Sequence, residues 1–579
     1  MGPQMHAPAR PQRARRSLLR RLYTSNPFYV ISADLVFIGL RMSFDTSGRT
    51  FETGAFMIAL LGYTLLLATT ACVLMRLGEV WDDVRTILLL VVAMFLAISV
   101  TFDETLARNP RLGVLFYVGG LSFAVAVSEG MLRGVRLRLP AGFRVPYYLI
   151  LAVFFLYPVA LTPLLADADD PRLQWMLFGF STAAAVAFAS LIPAIRRGPE
   201  YVADNGSPWR YPLYPWVLFG LLALAVCGRA YYLCISLHFV DRSYNVGNSD
   251  NIFGPYFLVP FLLVLDVLVL EAGLVSRNGK TQRAAIFALP GIVALAAIGG
   301  RPDPIYRGFL AMFEQGMHGT PVDLALVGAM AFCGYAARRR VPLALGGLTA
   351  SLFALAVADP GAWASGRLEA VRPIPLLAAS ALEFVLAWRR RESLRALIGA
   401  AGLIAVVAIG LDRAGWGSFV QGVVVFHLVI ASFMAIGVLF DDDELARHLR
   451  QVGGLGLGLA CIVASWSDPA AFARFHAPAG WIALYPFVVV VVLVVYGVLT
   501  RDRLYPAVGM AGLASWIGGA GWRTYIELRR SIVGLDWISW GLAFFFAAAA
   551  ISLRKSGVLD RRRRSATIKD VDPTWTRLD

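Results

Sequence analysis

The chain has 579 residues, of which 58% are hydrophobic and only 16% charged, with a net charge of +15. A soluble domain carries about 25% charged residues. The deficit excludes a string of soluble domains, and repeated apolar runs of roughly 16–24 residues put the chain in the membrane class. The basic excess lies in short loops and at both ends, so it is assigned to membrane orientation and not to nucleic acid.

The apolar runs are continuous, not alternating. Helices therefore satisfy the backbone in lipid, not a barrel. The expected fold is an all-α polytopic bundle of roughly 16 to 18 transmembrane helices. Residues 1–26 form a basic tail, 27–555 the membrane domain and 556–579 a second basic tail. Arg15-Arg16-Ser17-Leu18-Leu19-Arg20 has the outline of a twin-arginine signal. The apolar stretch after it holds Asp34 and Arg41, and no small-residue cleavage site follows, so the tail reads as a cytoplasmic anchor.

The first expected helix is Tyr29–Phe44. Clearer runs follow at Gly54–Met75, Ile87–Val100, Leu112–Leu132, Pro146–Leu165, Trp175–Ile195, Leu213–Leu237 and Ile252–Val275. The second half continues from Ala284–Gly299 to Trp537–Leu553. From Val322 onward, helices end in tight basic turns at Arg338, Arg389 and Arg501, which predicts helix hairpins as the building unit.

Alternate loops are basic. Arg133, Arg136, Arg138 and Arg144 share one; Arg196, Arg197 and Arg210 the next; then Arg277, Lys280 and Arg283. The intervening loops are acidic or mixed, as at Asp167-Ala168-Asp169-Asp170. The pattern predicts an even helix count with both termini cytoplasmic, in the cytoplasmic (inner) membrane. Trp522–Asp536 breaks it, because Arg523, Arg529 and Arg530 fall in a nominally outer loop. Glu129, Glu271 and Glu383 each precede a basic residue, at Arg133, Arg277 and Arg389. That is either the echo of an internal four-helix repeat or a coincidence of the polar interface.

The stretch Trp216–Val275 concentrates the chemistry, reading as an apolar helix, a polar loop and a second apolar helix. Ionisable groups inside a span are expensive and therefore informative. The expected substrate-binding residues are Arg229, Tyr232, His238, Asp266 and Glu271. Arg229 would attract an anionic group, Asp266 would couple a cation or proton, and His238 would gate the outer mouth. An Arg229–Asp266 ion pair is one expectation for adjacent antiparallel helices. Pro255 and Pro260, at the outer end of the second helix, either free carbonyls that line a site or make an ordinary kink. His427, alone in an apolar run, reads as a packing histidine.

No catalytic residues, metal site or cofactor are expected. The five cysteines, Cys72, Cys227, Cys234, Cys333 and Cys461, form no CxxC pair. A GxxxxGK[ST] loop is absent, which disfavours an ATP-driven pump, and so is HExxH. The expected partners are the lipid bilayer and a small-molecule substrate. The leading expectation is a permease-like, transport-type protein for a small polar or amphipathic solute. The alternatives are a membrane-embedded enzyme acting on a lipid-linked substrate, with groups such as His238 and Asp241, and a non-catalytic scaffold subunit.

Overall fold

The computed structural model describes residues 27–44, 50–165, 171–237, 254–298, 304–358, 371–467 and 479–555. Both basic tails lie outside these residues, as does the polar loop 238–253. The chain divides into two compact units, Met1–Pro360 and Gly361–Asp579.

The first unit contains α1 (Phe28–Phe44), α2 (Thr50–Gly78), α3 (Trp81–Arg108), α4 (Pro110–Gly134), α5 (Ala141–Leu161), α6 (Pro171–Ala189) and the short α7 (Ile192–Arg196). It continues with α8 (Leu213–Ser236), α9 (Val259–Val275), α10 (Gly279–Ala297), α11 (Pro304–Met317), α12 (Pro321–Arg338) and α13 (Ala344–Val357). The second unit contains α14 (Pro373–Arg390), α15 (Ser393–Arg413), α16 (Ser418–Leu439), α17 (Glu444–Trp466), α18 (Ala479–Thr500), α19 (Leu504–Ser531) and α20 (Leu535–Lys555). Among the described residues there is no strand.

Eleven described helices are long and apolar enough to cross a membrane, or twelve if the pair Gly308–Met317 and Pro321–Arg338, bent by 43°, is one span. The protein is an all-α, multi-pass membrane protein. The sequence-based number is larger because it includes two other kinds of helix. Phe28–Leu40 and Ala344–Val357 are apolar but shorter, and of the 22-residue α18 the count covers only Leu484–Thr500. Gly279–Ala297, Pro373–Arg390 and Leu504–Ser531 are helical but less apolar: the first carries Lys280 and Arg283, the second Glu383, Arg389 and Arg390, and the third is diluted by Gly509, Gly512, Gly518, Gly519 and Gly521.

Local signals explain where the helices start and stop. Asn109 caps α4 by accepting from the Leu112 N–H, with Pro110 at the first turn where no amide donor is needed. Thr320 and Asp323 form a reciprocal capping box at the start of α12. At the basic ends, Arg136, Arg277, Arg340, Arg391 and Arg501 adopt left-handed backbone, with φ of 51–59°. Glycine is the usual residue there. Arginine tolerates some strain and places its cation beside the negative end of the helix dipole.

Sequential helices pack as neighbours: α9 with α10, α12 with α13, α14 with α15, α16 with α17, and α18 with α19. This is the expected hairpin organisation. In the first unit α3 sits centrally, packed against α2, α4, α5 and α8, while α9 packs against α6, α7, α10 and α12. Lipid tails are as apolar as leucine, so close van der Waals packing has to hold such helices together. In the second unit α17 and α19 achieve this through small residues: a Cβ at Gly519 would sit 2.3 Å from the Ser465 carbonyl oxygen.

The nominal outer loop Trp522–Asp536 is a correction. Helix α19 runs unbroken to Ser531, so Arg523 and Arg529 are helical, and Arg529 pairs with Asp536 across the turn at 2.9 Å.

The basic ends of the first unit meet on one face. The Arg138 N–H donates to the Asn205 carbonyl at 2.8 Å, Trp81 and Trp209 make an edge-to-face contact at 5.2 Å, and Arg196 and Arg339 reach the same carboxylate. The loops after α2, α4, α7 and α12 therefore share an end of the bundle.

Candidate functional site

The apolar run at Ile87–Val100 becomes α3, which continues two turns past it. That extension is decisive, because it turns Asp103 from a loop residue into a helical one facing the core. Asp103 and Arg229 are each 1% exposed at the side chain and form a salt bridge. The Arg229 Nη2 also donates to Asp103 Oδ1 at 2.8 Å, to the Tyr117 hydroxyl oxygen at 3.1 Å and to the Ser99 carbonyl at 3.4 Å. The single Tyr117 hydroxyl proton is shared between the Ser99 carbonyl at 2.9 Å and Asp103, and the Ser236 hydroxyl donates to Asp103 Oδ2 at 2.7 Å. Helices α3, α4 and α8 are thereby joined through one polar knot. The expected Arg229–Asp266 pair is not formed: Arg229 is committed to Asp103. Phe102 and Phe155, edge-to-face with the Tyr117 ring, add apolar surface beside the knot.

Asp266 lies in the middle of α9 and is 6% exposed. Its Oδ2 is buried with no hydrogen-bond partner. Among the described residues no arginine, lysine or histidine comes within ion-pair distance of it. Helix α12 packs against α9, and the core cluster there holds Leu270, Ile286, Ala329, Phe332 and Cys333.

Glu271 is fully buried, yet it reaches the basic end. Arg196 grips it with Nε to Oε2 at 3.2 Å and Nη2 to Oε1 at 3.1 Å, and Arg339 adds Nη2 to Oε2 at 3.2 Å. The Tyr335 hydroxyl donates to it as well and accepts from Arg196 at 2.6 Å. This is an ion cluster that clasps α7, α9 and α12. The other two glutamates of the suspected repeat make similar clasps. Glu129 is held by Arg144 and Tyr148, and Glu383 by Arg395 at 3.1 Å. The salt-bridge partners of the three are not the basic residues a few positions on, Arg133, Arg277 and Arg389, but arginines of other segments: Arg144 and Arg395 from the helix that follows, and Arg196 and Arg339 from before and after α9.

Of the remaining expected site residues, Tyr232 is 43% exposed on α8. His238 and Asp241 lie outside the described residues. Pro255 and Pro260 do not break a helix. They open it, through a 3-10 turn at Pro255–Leu258 and then α9, at first-turn positions. The Phe257 carbonyl there is taken by the Ser181 hydroxyl. His427 bonds to the Val423 carbonyl at 2.7 Å and to the Tyr485 hydroxyl at 2.8 Å, a packing arrangement.

Sequence reasoning missed Asp103, Tyr117, Arg196 and Arg339. The signal for Asp103 was present: Ser99 and Asp103 stand one turn apart, with Phe102 and Leu106 continuing the apolar stripe.

Two cavities adjoin at the basic end of the first unit. One is an apolar slot of about 100 Å³ between α3, α4 and α8. The other is an open vestibule of about 1160 Å³ bordered by Arg133, Arg136, Arg138 and Arg144. Neither is lined by Arg229, Asp266 or Glu271. Compared with family models, curated proteins and solved structures, the chain matches none of them.

Proposed function

We propose that the protein is a transport-type protein of a cytoplasmic membrane, with its basic loops and both termini on the cytoplasmic side. It moves a small polar or amphipathic solute without hydrolysing a nucleotide itself. The reading is carried by Asp266. Charged residues within spans are costly, and they concentrate where ions and substrates pass. In the first unit Arg229 is balanced by Asp103, and Glu271 by Arg196 and Arg339. Arg229 keeps one buried nitrogen, Nε, without an acceptor, but its charge is paired; Asp266 has neither a salt bridge nor a partner for its Oδ2. A buried carboxyl of this kind is paired or neutralised by something that comes and goes, and a proton or small cation meets that need. The basic loops support the orientation through the positive-inside effect.

The test uses proteoliposomes of the full chain with a pH-sensitive dye trapped inside. A panel of organic anions, zwitterions and amphipathic amines is added outside. The expected result is that at least one member drives proton movement with wild-type protein and none does so with Asp266→Asn. Asp266→Asn liposomes that move protons as well as wild type would remove Asp266 from the coupling role, and silence across the whole panel in wild type would count against transport.

A further inference from the structure

The slot and the vestibule share Leu132, Leu137 and Leu139 as a common wall. One is apolar and lies among membrane helices; the other, at the bundle end, is lined by four arginines against two carboxylates, Glu129 and Asp204, so cations predominate. An apolar recess beside a mouth in which arginines outnumber carboxylates is complementary to an anionic amphiphile. We propose that this cavity pair holds a phosphate-headed lipid, with its headgroup on Arg133, Arg136 and Arg138 and its chain in the slot.

The charges are available. Arg144, the fourth arginine, is occupied by Glu129. Among the described residues, Arg133, Arg136 and Arg138 have no ion pair. Arginine offers a planar fork of donors that matches a phosphate.

The mouth is also built, not a loose collection of surface arginines. Its far wall is the loop around Asn205, which is 2% exposed. The Asn205 amide donates to the Val202 carbonyl at 3.1 Å and to the Trp209 carbonyl at 2.9 Å, and its Oδ1 accepts from the Ser207 N–H and hydroxyl, each at 2.7 Å. Its own carbonyl accepts from the Arg138 N–H at 2.8 Å. The Tyr214 hydroxyl donates to the Arg138 carbonyl at 3.0 Å. The arginine loop is thus clamped on both sides of Arg138. Inside the slot, Ser128 and Tyr147 satisfy each other at 2.9 Å. The indole N–H of Trp209, which lines the slot, is buried without an acceptor.

Binding here is read without any transport, so the inference stands or falls apart from the Asp266 experiment. Full-length protein in phosphatidylcholine nanodiscs is titrated with phosphatidic acid brominated along its acyl chains. Bromine in the slot quenches Trp209, and subtraction of the Trp209→Phe signal isolates that quenching. The expected result is a saturable Trp209 component in wild type. In the triple variant Arg133→Gln, Arg136→Gln, Arg138→Gln its half-point moves up by about tenfold or more. The single Arg133→Gln variant, at an exposed position, should shift it less but in the same direction. Brominated phosphatidylcholine should give no saturable component, and inorganic phosphate at matched concentration should not displace the lipid.

Several outcomes overturn the proposal. Displacement by inorganic phosphate alone would make the mouth a free-anion site. Equal quenching by brominated phosphatidylcholine would make the slot unselective. An Arg338→Gln, Arg340→Gln control that shifts the half-point as far as the triple variant would reduce the effect to general basic charge. A triple variant that folds and binds like wild type would dismiss the arginines.

Discussion

Arg229 and Asp103 lie 126 residues apart in sequence and meet inside the first unit. They are the residues that make α3 and α8 a single body. With both side chains 1% exposed, neither charge is screened by water. Removing one partner strands the other, which costs about 3–5 kcal/mol, whereas replacing both by apolar residues of similar volume is far milder. Asp103→Asn and Arg229→Gln should each lower the detergent-solubilised melting temperature sharply, and Asp103→Leu with Arg229→Met should recover much of the loss. A double variant as unstable as the two singles combined would mean the pair does not act as a unit.

Asp266 should behave in the opposite way. Its open oxygen gives the fold nothing, so Asp266→Leu removes an unsatisfied buried group. The variant is expected to stabilise by about 1–3 kcal/mol, read as a raised melting temperature, while proton-linked activity is lost. Residues kept at a cost to stability are what a functional site shows. Destabilisation by Asp266→Leu would mark it as a structural residue.

The Glu271 clasp is asymmetric. The carboxylate is fully buried, but Arg196 and Arg339 are 46% and 39% exposed. Solvent takes over for either arginine, so Arg196→Gln and Arg339→Gln should each cost no more than about 1 kcal/mol. Glu271→Ala removes the shared acceptor of two arginines and a tyrosine at once and should cost more than both together. Melting temperatures of the three variants check this ranking.

Gly206 has a φ of +79°, and a Cβ there would lie 2.4 Å from the Arg136 carbonyl oxygen. Gly206→Ala must push the Asn205 loop away from the arginine loop, at about 1–3 kcal/mol for the left-handed strain. The expected result is weakened phosphatidic acid binding with all arginines still present. Unchanged binding would show that the loop clamp does not shape the mouth.

In the second unit, Asp443 caps α17 and accepts from Ser393 N–H at 3.2 Å and from the Ser393 hydroxyl. The Ser393 hydroxyl, foremost, holds the Asp443 carboxyl below its ordinary range. A depressed carboxylate contributes stability above its unfolded pKa of about 3.9 and loses it as pH falls through the lower folded value. Wild type should therefore soften as pH drops below about 4, and Asp443→Asn should lack that component. Thermal melts from about pH 3 to about pH 7, which bracket the carboxylate range, decide it.

The sequence by itself determined the class: an all-α chain threaded repeatedly through a membrane, arranged in hairpins with basic ends. Those properties follow from local causes, namely apolar runs longer than a lipid core, arginines where helices stop, and caps such as Thr320 with Asp323. It also marked Arg229, Asp266 and Glu271, because a charge inside an apolar run stands out whatever surrounds it. Only the tertiary structure decided what each charge does. Arg229 took Asp103, which composition had placed beyond the end of its run, since a helix can extend past its apolar segment once a buried partner compensates the charge. Glu271 took arginines from α7 and from the cap that ends α12, not one from its own turn. Asp266 was left with none, and the arginines read as mere orientation signals came to rim a cavity. Pairing across helices depends on which faces meet and at what height, and no run of residues along one helix carries that information.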